Sequence, residues 1–133
     1  MLGDLFYEAK GKITSKRVVD ISGPKIESSY FVEGNMRKIE VEEIGTFTTI
    51  PMSENVFYVE GKDIVTIKGS NEIATVIAQG ISKHTDSSKI IVGSNFYRSS
   101  ITGKLAFLNN LVGVHEASVD NNDNILYKVW EWK

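Results

Sequence analysis

The chain has 133 residues, of which 41% are hydrophobic and 24% charged, as expected for one globular domain spanning residues 1–133. It contains no cysteine, which excludes disulfides, thiolate catalysis and cysteine-based metal sites and fits a reducing cytoplasm. Its net charge of −2 argues against nucleic acid as a partner. The sequence shows neither a signal-peptide pattern nor a long apolar run, so we expect a cytoplasmic protein that does not bind membranes.

Apolar and polar residues alternate with a period of two along most of the chain, which predicts β-strands. Turn residues separate these segments, as at Ser22-Gly23-Pro24 and Gly34-Asn35. We therefore predict eight or nine strands. They cover residues 7–21, 25–34, 36–50, 56–60, 63–68, 72–83, 89–98, 112–119 and 125–132.

The alternation slips within the third predicted strand. Ile39 and Val41 fall on one face, whereas Ile44 falls on the other. One extra residue in a strand changes the face on which all later residues lie. We therefore expect a β-bulge near Glu42 and Glu43.

The period changes once, in residues 102–112, where apolar residues are spaced as in a short helix. The last two strands then follow, joined by a polar loop at residues 120–124. Parallel strands would need crossover helices between them, and these are missing. The fold class is therefore all-β, an eight-stranded antiparallel up-and-down β-barrel with one short helix before the C-terminal hairpin. Four glycines inside strands suit the bends of a closed barrel: Gly45, Gly80, Gly93 and Gly113.

The last third of the chain carries a family resemblance. It contains Gly93, Tyr97, the segment TGKLAFLNN at 102–110, Gly113-Val114 and the closing KVWEWK. This pattern resembles a family of small uncharacterised bacterial and archaeal proteins. That family is similar to the allene oxide cyclase and dirigent barrels, in which a Thr-Gly-x-Leu/Phe stretch follows a barrel strand and a final hairpin closes the barrel.

The resemblance implies a calycin-like barrel that is often oligomeric. It carries no reaction and no catalytic residue across to this chain. We accordingly expect homo-oligomers, which would form through an outer barrel face that presents Val18, Phe31 and Trp132.

Few residue patterns point to chemistry. The two histidines, His84 and His115, lie 31 residues apart without a metal-binding spacing, so we predict no metal and no cofactor. His84 is interpreted as a solvent-exposed loop residue. A run of acidic residues, Glu40, Glu42 and Glu43, is interpreted as a solvated strand face rather than a paired-carboxylate site.

A more informative pattern is the presence of polar side chains on otherwise apolar strand faces. Small barrels are filled or hold one small ligand, and binding pockets combine apolar walls with a few polar groups. We predict that five such residues lie in or near the barrel mouth and bind a ligand. They are Tyr58, Gln79, Tyr97, Arg98 and Glu116; a salt bridge between Arg98 and Glu116 is the alternative for that pair.

Three functions follow from a barrel of this kind. The first is binding of a small apolar or amphipathic ligand in the lumen. The second is a cofactor-independent isomerase or cyclase that holds a flexible substrate in one conformation. The third is an oligomeric structural barrel with a filled core. The volume of the lumen distinguishes the third from the other two.

Overall fold

The computed structural model describes all residues from 1 to 133 and consists of eight β-strands and one short 3₁₀ helix. Each strand pairs antiparallel with the next along the chain, and the last pairs with the first, which closes the barrel. The predicted all-β, eight-stranded fold is confirmed. The strands are β1 (Leu2–Asp20), β2 (Lys25–Met36), β3 (Ile39–Ser53), β4 (Val56–Ile67), β5 (Ile73–His84), β6 (Ser88–Ser99), β7 (Val112–Asp120) and β8 (Asn124–Trp132).

β4 is one continuous strand, although its sequence predicts two short ones separated by Gly61-Lys62. Gly61 is an inward position, not a turn. A Cβ built there would meet the side chains of Phe47 and Ala78 at 3.6 and 3.8 Å. These are ordinary van der Waals distances, so a side chain of one carbon would fit and the glycine leaves space open inside the barrel.

The predicted bulge in β3 is absent. The pairing of β2 with β3 runs without interruption from Ile26–Thr49 to Met36–Ile39. Glu43 points inward and is 1% exposed, whereas Ile44 points outward and is 62% exposed. The apparent slip therefore arises because the strand places an acid inside the barrel and an isoleucine outside it. The register shifts of the barrel lie instead in β1, on both of its edges, and near the end of β3, between Pro51 and Ser53.

One end of the barrel is closed by the segment between β6 and β7. Its 3₁₀ helix spans Ala106–Asn110, less than the predicted helical stretch of residues 102–112. Leu105 and Leu108 of this segment are completely buried, and each such side chain contributes about 1.5–3 kcal/mol through removal from water. The Leu105 amide donates a hydrogen bond of 2.8 Å to the Glu72 carboxylate, which fixes the segment to the end of the sheet. No helix in the structure has the length and apolar character required to cross a membrane.

Candidate functional site

A cavity of about 50 Å³ lies inside the barrel, in the half away from the closed end. A single water needs about 10–15 Å³, so this space is large enough for a few waters or a compact chemical group. Its walls are mostly apolar, and its polar side chains come from four strands. The apolar wall includes Phe47, Val59, Ile91, Ala117, Val119 and Ile125, and the polar side chains are Tyr30, Asp63, His115 and Tyr127.

The cavity exists because small residues occupy inward positions on neighbouring strands. Gly61 of β4 and Ala78 of β5 both line it and are directly paired across the two strands. Two residues further along β5, Gly80 pairs with Gly93 of β6. Inward side chains fill the interior of a barrel of this size, so a group of glycines and alanines leaves space unfilled.

Two carboxyl groups lie next to each other in the barrel interior. Glu43 of β3 pairs with Val65 of β4, and Asp63 of β4 pairs with Gly45 of β3, so the two acids are diagonal neighbours on the inner face. They are 1% and 5% exposed. Burial raises the pKa of Glu43 well above its ordinary value, and the adjacent Asp63 carboxylate raises it further. Burial also raises the pKa of Asp63. Like charges this close do not both ionise readily, so the pair retains a proton.

Tyrosine side chains surround this carboxyl pair. Burial raises the pKa of Tyr7, and the Glu43 carboxylate raises it further; Tyr30 is affected in the same way. Both phenols are therefore neutral hydrogen-bond donors. The Tyr7 hydroxyl and the Asp63 Oδ1 atom are buried without a hydrogen-bond partner. Unpartnered buried polar atoms are costly and rare in folded proteins, so these two mark the region as a candidate site.

A second polar group is organised around Asn95 of β6. Its side-chain amide nitrogen donates to the hydroxyls of Tyr97 and Tyr127, at 2.9 and 2.6 Å. Its carbonyl oxygen lies 2.7 Å from Nδ1 of His115. With the Asn95 amide in this orientation, the protonated Nδ1 of His115 donates a hydrogen bond to the Asn95 oxygen. The other ring nitrogen, Nε2, is then unprotonated and can accept a hydrogen bond. Burial lowers the pKa of His115 to about 4, so the imidazole is neutral at physiological pH.

The structure separates the five residues predicted for the barrel mouth. Tyr97 lies in the interior, 7% exposed, and Gln79 is an exposed residue at the edge of the cavity lining. Tyr58, Arg98 and Glu116 lie on the outer face of the barrel. Their strands alternate, and the adjacent residues Val59, Tyr97 and His115 point inward instead. The role of the five residues in ligand binding stays a prediction.

The alternative salt bridge between Arg98 and Glu116 is also absent. Glu116 of β7 pairs with Val92 of β6, six residues away from Arg98 along the strand. At about 3.3 Å per residue this separation is roughly 20 Å, which neither side chain can span. The interpretation of His84 as a solvent-exposed loop residue is wrong in part, since its ring stacks on Phe57 at 4.1 Å between centroids.

Sequence reasoning missed Asp63, Asn95 and His115 as interior groups and assigned Glu43 to the solvent. A signal for Glu43 was available, because Glu43 falls in phase with Val41 and Gly45 on the inward face. Asp63 is likewise in phase with Val59 and Val65. The chain has no group of three or more His, Asp or Glu side chains placed to hold a metal ion.

Comparison with known proteins provides a structural relative only. No family model and no curated protein matches the chain. A crystal structure of a protein with unknown function from Clostridium acetobutylicum ATCC 824 superposes with a TM-score of 0.80 over 98% of both chains, at 11% sequence identity. At this identity the likeness shows a shared fold, and the chain is similar to an eight-stranded barrel of unknown function.

Proposed function

We propose that the barrel binds a small apolar or amphipathic molecule in its lumen. The observation that carries this proposal is the cavity that combines an apolar wall with a buried carboxyl group, that of Asp63. The apolar part of a ligand would contact Val59, Val119 and Ile125. Its polar part would reach Asp63 or His115. Pockets built from apolar walls and a few converging polar groups are typical of small-molecule sites.

The remaining space favours this function over a structural barrel with a filled core. Aliphatic and aromatic side chains fill the closed half, where Leu105 and Leu108 are buried. The other half retains about 50 Å³ beside polar groups. A barrel selected for stability alone would fill that volume with larger side chains, since core packing contributes directly to stability.

Native mass spectrometry of the purified protein tests the proposal. We expect a co-purifying molecule of low mass on the wild-type protein. Ala78→Leu, which extends into the cavity, should lose the bound mass, because the added side chain occupies the space. Thr75→Leu places the same side chain on the exposed outer face of β5 and should retain the bound mass. Retention of the ligand by the Ala78 variant would contradict binding in the lumen.

A cofactor-independent isomerase or cyclase is a second candidate, favoured by the Glu43–Asp63 pair. Two neighbouring carboxyls with raised pKa values can hold and transfer one proton, as a general acid and base require. Asp63 lines the cavity, whereas Glu43 lies behind it. Incubation of the identified ligand with the protein in D₂O would test this function. Conversion or deuterium incorporation with wild type but not with Asp63→Asn supports catalysis, and no exchange with wild type argues for binding alone.

Kinship with the allene oxide cyclase and dirigent barrels also belongs to the proposal. Its support is the sequential β1–β8 order together with the short helix that precedes the final hairpin. A crystal structure with bound ligand would test this kinship, since a shared ligand position within the lumen is expected. A cytoplasmic location stays a prediction from the sequence.

We further propose that two copies of the chain associate through an exposed apolar stripe on the outer face. Phe31 of β2 pairs with Ile44 of β3, which pairs with Ile64 of β4. The stripe continues with Ile77 and Phe96 on β5 and β6. Lys62 adjoins it on one side and Glu42 on the other, so an antiparallel two-fold arrangement would bring opposite charges together. Val18 and Trp132, also predicted for the outer face, are exposed.

Sedimentation velocity of wild type and Ile44→Lys tests this association. The charged side chain should shift the protein from dimer to monomer, because it would have to be buried without a partner. Val18→Lys, a similarly exposed apolar site outside the stripe, should leave the dimer intact. A monomeric wild type would contradict the proposal.

A further inference from the structure

The barrel interior contains two carboxyl groups and no cationic side chain. None of the 15 lysines and arginines of the chain is buried. The buried His115 is neutral because burial lowers its pKa to about 4. No lysine or arginine contributes to the environment of Glu43 or Asp63. A buried carboxylate normally has a counter-ion or several hydrogen bonds, whereas this pair has no counter-ion and is faced only by the neutral hydroxyls of Tyr7 and Tyr30.

Asp63 is the member of the pair that a ligand can reach. It lines the cavity at 5% exposure, and its Oδ1 has no hydrogen-bond partner. Three aromatic rings, Tyr30, Phe47 and Tyr127, line the same cavity. The faces of aromatic rings attract cations, and a desolvated site strengthens this attraction. One anionic oxygen and several rings around a small space are together suited to a compact cation.

We infer that the group bound at Asp63 is a protonated amine on a small aliphatic molecule. This inference rests on the proposed lumen binding and specifies its ligand class. An ammonium N–H would donate to the Asp63 carboxylate, while the aliphatic chain would lie along Val59 and Val119. With its shared proton the Glu43–Asp63 pair carries one negative charge, and the positive charge of the ammonium would balance it.

A neutral alcohol of the same shape would bind less well. Its hydroxyl can donate one hydrogen bond to Asp63, but it brings no charge to balance the carboxylate. In a desolvated cavity the attraction between an ammonium and a carboxylate is screened much less than in water, and the alcohol lacks this attraction. The matched pair 1-propylamine and 1-propanol differs only in this group, so it isolates the contribution of the charge.

Titration of the protein with each compound tests the inference, with ¹H–¹⁵N shifts of Asp63, Ala78 and Ala117 locating the site. We expect propylammonium to bind at least about tenfold more tightly than propanol, a difference of about 1.4 kcal/mol. The titratable groups that face Asp63 in this measurement are Glu43, Tyr7, Tyr30, Tyr97, Tyr127 and His115.

Asp63→Asn should abolish the preference for the amine while propanol still binds, and propanol binding thereby reports that the variant is folded. Asp86→Asn, in the exposed loop after β5, should keep the preference. If the wild-type protein binds the two compounds with equal affinity, or binds propanol more tightly, the inference is overturned while lumen binding is supported. If neither compound shifts the cavity residues, the inference is wrong, and native mass spectrometry with Ala78→Leu decides lumen binding separately.

Discussion

The two halves of the barrel interior are built on different principles, although the same strands pass through both. The closed half contains completely buried apolar side chains, among them Met36, Val41, Val65, Leu105 and Leu108. The cavity half contains glycine and alanine beside two carboxyls, an asparagine and a histidine. The closed half therefore provides stability, whereas the cavity half reduces stability in order to keep polar groups in a desolvated space.

The cavity half lowers the free energy of unfolding because it contains buried polar atoms without hydrogen-bond partners. Each buried polar atom without a hydrogen bond costs about 1–3 kcal/mol. The Tyr7 hydroxyl and Asp63 Oδ1 are two such atoms in one small region. The fold tolerates this loss of stability because apolar burial in the closed half offsets it. Substitutions in the two halves should therefore change the free energy of unfolding by different amounts and, for some, in opposite directions.

The largest effect is expected in the closed half. Leu108→Ala should lower the free energy of unfolding by about 2–5 kcal/mol, because it removes a fully buried side chain and leaves a void. Ile91→Ala, on the cavity wall, should cost less, since part of that side chain borders space that is already empty. Urea denaturation of both variants measures the difference. Equal losses would show that the two halves are packed alike.

Gly45→Ala should lower the free energy of unfolding by about 1–3 kcal/mol. A Cβ at this position would overlap Asp63 Oδ1 and lie 2.9 Å from the Tyr30 hydroxyl, so the carboxyl would have to move. Gly61→Ala is the matched variant. Its Cβ would have no neighbour closer than 3.5 Å, so stability should change by less than about 1 kcal/mol. Similar losses in the two variants would contradict a close fit around Asp63.

Glu43→Gln should stabilise the protein at neutral pH, by about 1–3 kcal/mol. The pKa of Glu43 is raised in the folded state, so its contribution to stability is present below the ordinary pKa and lost as pH rises through the raised one. The amide does not ionise, and the advantage of the variant should therefore grow from pH 4 to pH 8. Thermal unfolding across that range measures it. Glu42→Gln, exposed on the same strand, should follow the wild-type profile.

The smallest effect concerns His115. Its imidazole resonances should titrate with a pKa of about 4, because burial disfavours the charged form. The unfolded chain binds this proton at higher pH, so stability should fall as pH drops from about 6.5 towards 4. His84, whose pKa burial lowers while the histidine remains partly exposed, provides an internal comparison in the same NMR titration. A midpoint near 6.5 for His115 would show that the cavity half is wet and open.

The fold was predictable from the sequence to a greater degree than the site. Alternation between inward and outward positions is a local property, and it located seven of the eight strands with errors of up to five residues at the ends, the largest at the start of β1. β4 was divided because Gly61 resembles a turn, and β3 was given a bulge because Glu43 was assumed to face water. Both errors have one origin: the usual rule that acids lie outside and glycines lie in turns fails at the cavity.

The order of turns and the period-two alternation determined an eight-stranded antiparallel barrel, because strand formation depends on neighbouring residues along the chain. Only the tertiary structure decided which face of each strand lies inside, since closure brings β1 and β8 together. It also decided that Glu43 and Asp63, 20 positions apart, become neighbours. Burial then sets their pKa values, and burial is a property of the closed barrel rather than of any segment.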